Sequence, residues 1–453
     1  MADTFKAQTL GWLGVFRLGL VQAALGAIVI VTTSTLNRVM VVELALPAML
    51  PGALVGWHYA VQLSRPKWGH GADSGGRRAP WIVGGIAVLG LGAVLAAAST
   101  ALFGGAFMPA LLVSIVAFTL IGAGVGAAGT NLLALLAART PPARKAAAAA
   151  IVWIMMILGF VVTAVSVGAM LDPFSLAKLV RVTAVVSMVA LAVAFLAVWG
   201  LEPRGQANTE VSSQAESAPP RPDFKTALRE TWDDQPARRF TIFVFVSMLA
   251  YSAQDLILEP FAGLIYGYTP GESTSLAGTQ NGGVLIGMII TAIAGTVIGK
   301  SRPSFMRAWT VGGCLASAAA LSALAMAARV GPSWPLEPTV FALGVANGAF
   351  AVAAIGSMMT LASAGPPASE GIRMGLWGAS QAIAFGLGGF LGAAALDVMR
   401  AVVGDASAAF FTVFAVEGAL FAVAAGLALR VGSAGASDRL LPPLPAGEPL
   451  PAE

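Results

Sequence analysis

Charged residues are scarce in this sequence. Asp, Glu, Lys and Arg make up 11% of its 453 residues, whereas hydrophobic residues make up 57% and the mean hydropathy is +0.82. An ordinary soluble domain contains about 25% charged residues. The shortage therefore excludes a soluble globular protein and predicts a polytopic membrane protein.

Cysteine and histidine are also scarce, with one Cys and two His in the whole chain. The single cysteine, Cys314, excludes an internal disulfide and a cysteine metal cluster. The sequence also lacks an Asp-rich diphosphate motif, a phosphate-binding loop and a Ser, His and Asp set outside the apolar segments. We therefore expect neither an enzyme nor a metal site. The formal charge of +4 does not indicate nucleic-acid binding, because most basic residues lie in short loops beside apolar runs.

Apolar runs dominate what the sequence does contain. Twelve of them are long enough to cross about 30 Å of hydrocarbon. Each is predicted to be a helix, because lipid offers no partners for an unpaired backbone. The predicted fold class is an all-α polytopic membrane protein with two six-helix halves. The predicted spans are 14–36, 42–63, 81–101, 109–138, 147–171, 178–200, 240–265, 276–299, 308–328, 337–362, 373–396 and 408–430.

Basic residues set the predicted orientation. If the N-terminus is cytoplasmic, 21 Lys and Arg residues fall in the inside segments and five in the outside segments. Because Lys and Arg are retained in cytoplasmic loops, this asymmetry predicts that both termini face the cytoplasm.

The two halves repeat. The tripeptide PPA at 141–143 recurs at 366–368, and Leu171-Asp172 recurs as Leu396-Asp397, each displaced by 225 residues. Parallel repeats of this kind are typical of facilitator-type transporters. The predicted divisions are a first half 1–201, a cytoplasmic linker 202–239, a second half 240–430 and a disordered tail 431–453.

The linker contains one apolar stripe. Phe224, Leu228 and Trp232 are spaced at i, i+4 and i+8. This spacing predicts a short helix on the membrane surface, although a docking face for a partner is an alternative.

A glycine-rich polar loop, WGHGADSGGRRAPW, joins the second and third spans. Its spacing resembles the loop between helices 2 and 3 of the major facilitator superfamily and departs from that pattern at Ser74. Glycine permits a tight turn, the arginines favour the cytoplasmic side, and the acid can lie against a helix N-terminus. An ordinary basic turn is the alternative. The predicted conformational-loop residues are Gly69, Asp73, Gly76, Arg77 and Arg78.

Ionisable groups inside the spans are the next candidates, because such groups in lipid are costly unless paired. Asp255 and Glu259 lie at i and i+4 on one helix face, and Pro260 is expected to break or kink that helix. The pair could relay a proton or could cap a kinked helix end. Further intramembrane polar candidates are Gln254, Asn131, Gln381, Glu43 and Glu417.

Three stretches resemble the PucC and LhaA proteins of phototrophic bacteria, a branch of the major facilitator superfamily. They cover residues 36–62, 65–82 and 254–274, and the likeness runs from about residue 16 to about 429. The resemblance implies a membrane assembly factor that brings bacteriochlorophyll a to light-harvesting antenna polypeptides, in a bacterial inner or intracytoplasmic photosynthetic membrane. Its implied partners are these polypeptides, the pigment and membrane lipid, with no nucleic acid. A proton-coupled transporter of a small solute is the alternative, and a pigment-synthesising enzyme is a third possibility.

His58 is the pigment-binding candidate, because it lies in an apolar predicted helix and a neutral imidazole can ligate the magnesium of a chlorin. A histidine hydrogen-bonded within the helix packing is the alternative, and the one we prefer.

Overall fold

The computed structural model describes residues 9–65, 68, 77–141, 144–202, 224–297, 305–363 and 370–431. The regular elements of these ranges are helices, as the sequence predicts. The helices are α1 Trp12–Glu43, α2 Met49–Gln62, α3 Ala79–Leu102, α4 Phe107–Arg139, α5 Lys145–Leu171, α6 Leu176–Val198, α7 Phe224–Asp233, α8 Gln235–Tyr266, α9 Pro270–Val297, α10 Phe305–Val330, α11 Leu336–Ser363, α12 Glu370–Val403 and α13 Ala406–Arg430.

The first two predicted spans have the wrong boundaries. The first helix continues to Glu43 rather than ending at residue 36, through two wider π-helical turns at Val31–Thr35 and Val39–Glu43. The second begins only at Met49, because Pro47 disfavours helical geometry in the residue before it. Ala45, between the two helices, has a φ of 51°.

Eleven helices of the described residues are long and apolar enough to cross a membrane. The missing member of the predicted twelve is α2, which has 14 residues. At a rise of about 1.5 Å per residue it is about 21 Å long, which is short for a complete span.

The buried apolar residues form two large clusters. One is drawn almost entirely from α1–α6, the first bundle, and the other mainly from α8–α13, the second bundle. The bundles contact each other through α2 against α12 and α5 against α9. The second contact is close: a Cβ added at Gly168 would lie 2.7 Å from the carbonyl oxygen of Gly271. Small residues therefore let the bundles approach at this contact.

A sulfur contact recurs in both bundles. Gln22 Nε2 donates to Met156 Sδ at 3.2 Å in the first bundle, and Gln381 Nε2 donates to Met248 Sδ at 3.8 Å in the second. Met156 and Gln381 differ by 225 positions, and Gln22 and Met248 differ by 226. The repeat therefore preserves a Gln–Met contact in both bundles. The glutamine lies on α1 in the first bundle but on α12, the equivalent of α5, in the second.

The short helix predicted in the linker is α7, Phe224–Asp233. Trp232 is 44% exposed on it. The side chains of Phe224 and Leu228 lie outside the described residues, so the orientation of the apolar stripe on a membrane stays a prediction. Most of the linker, 203–223, and the tail after residue 431 also lie outside the described residues.

Candidate functional site

A polar seam joins the bundles along α1 and α8. Ser34 Oγ on α1 donates to Glu259 Oε1 on α8, and both residues are buried. Their separation is 225 residues, which equals the repeat offset. Equivalent positions of the two halves therefore meet at this contact. It lies toward the far face, which we define as the end of the molecule where α1 ends at Glu43 and α8 ends at Tyr266.

Pro260 shapes the same seam without breaking α8. A proline inside a helix supplies no N–H to the carbonyl four residues before it, and that carbonyl belongs to Leu256. Asn37 Nδ2 on α1 donates to the Leu256 carbonyl oxygen at 2.6 Å. Of the predicted break or kink at Pro260, the break is wrong, because α8 runs without interruption to Tyr266 while the other bundle supplies the missing hydrogen bond. The kink stays a prediction.

Arg38 completes the far end of the seam. It is 2% exposed, forms an ion pair with Glu43 and donates through Nη2 to the carbonyl oxygen of Tyr268 at 2.5 Å. The ion pair places the Glu43 carboxylate against the buried guanidinium charge.

Two equivalent carboxylates also tie the bundles together at the far face. Asp397, near the end of α12, accepts from the backbone N–H of Ala48 at 3.0 Å and of Met49 at 2.7 Å, at the start of α2. Asp172, after α5, accepts from Thr269 Oγ1 at 3.2 Å, just before α9. Each acid lies where a helix N-terminus favours negative charge. A cavity of about 560 Å³ beside Asp397 is also lined by Ala45, Pro47 and Arg400.

Asp255 and Glu259, predicted as one pair, have different neighbours. Glu259 is bound to Ser34 in the seam. Asp255 is partly exposed and lies one helical turn after Tyr251, whose ring centroid is 5.8 Å from that of Phe385 on α12. Residues at i and i+4 share a helix face, but the face is broad enough to divide the two acids between different partners.

The other intramembrane candidates lie apart from one another. Gln254 is 0% exposed, and within the described part of the chain neither of its amide atoms has a hydrogen-bond partner. Asn131 Nδ2 donates to the carbonyl oxygens of Ala127 at 2.9 Å and Trp68 at 3.4 Å. Gln381 makes the sulfur contact described above. The structure does not bring these three amides into one site.

His58 is buried to 2% exposure, and its ring centroid is 4.2 Å from that of Tyr59. Nδ1 lies 2.7 Å from the carbonyl oxygen of Val55, so Nδ1 carries the proton and donates. Nε2 is the nitrogen left to bind a metal, but axial ligation of a chlorin also needs open space in front of it. The geometry fits a packed histidine better than a pigment ligand.

The conformational loop is described only at its end. Gly69, Asp73 and Gly76 lie outside the described residues. The Glu202 carboxylate accepts from the backbone N–H of Arg78, at 3.0 and 3.1 Å, and of Ala79, at 2.8 Å. Glu202 therefore occupies the N-terminus of α3, where the helix dipole favours an anion. Sequence reasoning missed Glu202, although it is the first acid after the sixth span.

The other end of the linker is tied to the second bundle. Asp234 Oδ2 accepts from Arg373 Nη2 at 2.7 Å, and Arg373 Nη1 donates to the carbonyl oxygen of Leu361 at 3.2 Å. Arg373 is 6% exposed. The linker therefore leaves the first bundle at one partly buried polar contact and reaches the second at another.

Comparison with known proteins identifies the family. The PUCC protein family matches residues 35–436. The chain belongs to the PucC family. It is 52% identical over 442 residues to "Bacteriochlorophyll synthase 44.5 kDa chain" of Rhodobacter capsulatus, covering 97% of this chain and 100% of that protein. It is 29% identical to "Protein PucC" of Cereibacter sphaeroides, covering 85% of this chain and 84% of the relative. The first name describes an enzyme and stands against our expectation of a non-enzyme.

Solved structures with a similar fold are transporters. The peptide transporter POT in complex with sulfate has a TM-score of 0.67 at 17% identity, covering 94% of this chain and 96% of that one. A bacterial homologue of human Spinster, in an inward-facing and occupied conformation, has a TM-score of 0.64 at 15% identity, covering 92% and 96%. This PucC-family chain is therefore a multi-pass membrane protein with a major facilitator superfamily type of fold.

Proposed function

We propose that this chain is a membrane assembly factor that binds bacteriochlorophyll a, or delivers it, to light-harvesting antenna polypeptides. The observation that carries the proposal is the PucC-family match over residues 35–436, together with a 52% identical relative whose name refers to bacteriochlorophyll. The proposed partners are the antenna polypeptides, the pigment and membrane lipid, with no nucleic acid, in an inner or intracytoplasmic photosynthetic membrane.

Aromatic side chains at the boundary between the bundles support an apolar, planar cargo. Tyr59 of α2 lies 5.9 Å, between ring centroids, from Phe385 of α12, and Phe385 lies 5.8 Å from Tyr251 of α8. Aromatic faces favour contact with other flat π-systems. In this proposal the boundary lined by these three rings contacts the pigment during transfer.

The proposed topology is twelve spans with both termini in the cytoplasm, with α2 as the twelfth span. The excess of bases in the segments near the linker supports this orientation. A test places single cysteines in a Cys314→Ala background, so that a maleimide can react only with the introduced cysteine. Cys314 itself is fully buried. An impermeant maleimide added to intact cells should label Ser333→Cys, in an exposed turn on the far face, and spare Glu230→Cys, on α7. The opposite labelling pattern would reverse the topology.

A proton-coupled transporter is the second candidate function. It is supported by the transporter folds and by Asp255, a partly exposed acid at the bundle boundary. A synthase subunit is a third, supported by the name of the 52% identical relative.

A deletion strain of a phototrophic host separates these functions. Total bacteriochlorophyll is extracted and quantified, and the absorption of assembled antenna complexes is recorded in intact membranes. An assembly factor predicts that pigment synthesis continues while antenna absorption is lost, and that the wild-type gene restores it. Loss of extractable pigment itself would favour the synthase reading. Unchanged pigment together with unchanged antenna absorption would contradict the assembly proposal.

A further inference from the structure

The cavity beside Asp397 lies at the far face, where the connection between α1 and α2 meets the end of α12. Its volume is about 560 Å³, within the range of about 300–1,000 Å³ that is usual for ligand pockets. Ala45 and Pro47 line it from the first bundle, and Arg400 and Ala401 line it from the second. A molecule bound in this cavity would therefore contact both bundles.

Hydrogen bonds hold both walls of the cavity in place. Leu46 N–H donates to the carbonyl oxygen of Met40 at 3.0 Å, and Gly404 N–H donates to that of Arg400 at 2.9 Å. The Asp397 carboxylate accepts from two N–H groups at the start of α2 and so joins one wall to the other. The cavity is therefore formed before a ligand enters, which lowers the entropic cost of binding.

Arg400 differs from the other bases of the far face. Each of the others has a partner: Arg38 pairs with Glu43, Lys178 with the carbonyl oxygen of Asp172, Arg181 with that of Ala177, and Arg329 with the ring of Phe411. Arg400 lies in the last turn of α12 and forms no side-chain hydrogen bond or ion pair with the residues that the structure describes.

The nearby acids do not balance the charge of Arg400, because each is engaged elsewhere. Asp397 accepts the N–H groups of α2, Asp405 Oδ2 accepts from Ala408 N–H at 2.8 Å, and Glu43 is in its ion pair. The dipole of α12 favours a base at this end of the helix but supplies no discrete partner. The cavity therefore presents an unused guanidinium, a group that binds phosphate oxygens through two parallel N–H donors.

The position and lining of the cavity fit a lipid better than a small soluble anion. Arg400 lies four residues beyond 396, where the predicted apolar span ends, and so falls among the lipid headgroups. Apart from Arg400 and Asp397, the lining consists of Ala, Leu, Pro and Gly residues. Met49 and Val403, beside the cavity, are 44% and 45% exposed. A ligand with a phosphate and an apolar tail can contact both kinds of surface.

We propose that this cavity binds the headgroup of an anionic phospholipid, with the phosphate oxygens accepting from the Arg400 guanidinium and the apolar part of the lipid against Met49 and Val403. The bound lipid joins the two bundles at the far face. The site does not depend on pigment handling, so this proposal and the proposed function can fail separately.

Native mass spectrometry of the purified full chain, with phosphatidylglycerol added, measures the binding. The affinity should fall about tenfold in Arg400→Gln, because a hydrogen bond to a charged group is lost. It should also fall in Ala401→Leu, which fills part of the cavity and keeps the guanidinium. Arg181→Gln removes an exposed far-face base that has a backbone partner, and this control should bind as the wild type does. Circular dichroism checks the fold of each variant.

Two competitors test the chemistry of the ligand. Diacylglycerol has the apolar tails without the phosphate, and inorganic phosphate has the anion without the tails, so neither should displace phosphatidylglycerol at an equal concentration. Displacement by diacylglycerol would overturn the role of Arg400, and displacement by inorganic phosphate would overturn the lipid in favour of a soluble anion. Equal affinities of folded Arg400→Gln and Arg181→Gln, or wild-type affinity in folded Ala401→Leu, would also overturn the proposal.

Discussion

Asn37 donates to the carbonyl oxygen of Leu256 across the boundary between the bundles, at 2.6 Å. This carbonyl is the one that Pro260 leaves without a helical donor. The amide N–H of a buried asparagine therefore supplies the donor that the intrahelical proline removes, while Asn37 Oδ1 has no hydrogen-bond partner among the described residues. The contact also links α1 and α8, the helices that carry Ser34 and Glu259.

This relationship predicts strong coupling between Asn37 and Pro260. Asn37→Leu should lower the free energy of unfolding by about 1–3 kcal/mol, because it leaves the Leu256 carbonyl unsatisfied. Pro260→Ala restores a donor within α8, so in that background Asn37→Leu should cost much less. Thermal unfolding of the two single variants and the double variant in detergent measures the coupling energy. Additive effects would mean that the hydrogen bond does not contribute to stability.

Asp255 and Glu259 should act independently. Glu259 is hydrogen-bonded to Ser34 in the seam, whereas Asp255 is partly exposed and lies one helical turn after Tyr251. Asp255→Asn and Glu259→Gln share no partner, so the double variant should show the sum of the two single effects on stability and antenna assembly. A double variant no worse than either single variant would restore the view that the two acids form one relay.

Glu202 should hold the start of α3 and the end of the conformational loop. Glu202→Ala should lower stability by about 1 kcal/mol, because it leaves the first N–H groups of α3 without an anionic acceptor. It should also speed trypsin cleavage after Arg77 and Arg78. Glu230→Ala, on the exposed side of α7, is the control. Equal cleavage rates in the Glu202 variant and the control would show that the carboxylate does not anchor this loop.

His58 should affect stability rather than pigment. Its ring is buried and Nδ1 donates to the carbonyl of Val55, so His58→Leu should reduce the yield of folded protein and leave the pigment bound per folded molecule unchanged. Normal yield with reduced or spectrally shifted pigment would identify His58 as the ligand, and imidazole added to His58→Gly should then restore the spectrum.

The membrane helices could be predicted from sequence because long apolar runs in lipid have one stable backbone conformation. The boundary near Glu43 could not, because residues 39–42 are apolar and continue the first helix without a visible stop. The wider turns at Val31–Thr35 and Val39–Glu43 have no distinct signal in local hydropathy.

The partners of the site residues were the part that sequence could not supply. Glu259 and Pro260 are conspicuous in an apolar helix, but Ser34 lies 225 residues from Glu259, and Asn37 lies 219 from Leu256. The orphaned carbonyl of Leu256 follows from Pro260 alone. Its donor depends on how the two bundles pack, which local periodicity does not report.

The absorption spectrum of the protein, purified in mild detergent from pigmented cells, tests the proposed pigment handling most directly. A membrane protein of similar size, purified from the same cells, controls for pigment carried over in detergent. The account predicts bacteriochlorophyll bound at a constant ratio to this protein, and a lower ratio in a Tyr59→Ala, Phe385→Ala double variant that still folds. Colourless wild-type protein that catalyses proton-coupled uptake of a small solute in vesicles would contradict it.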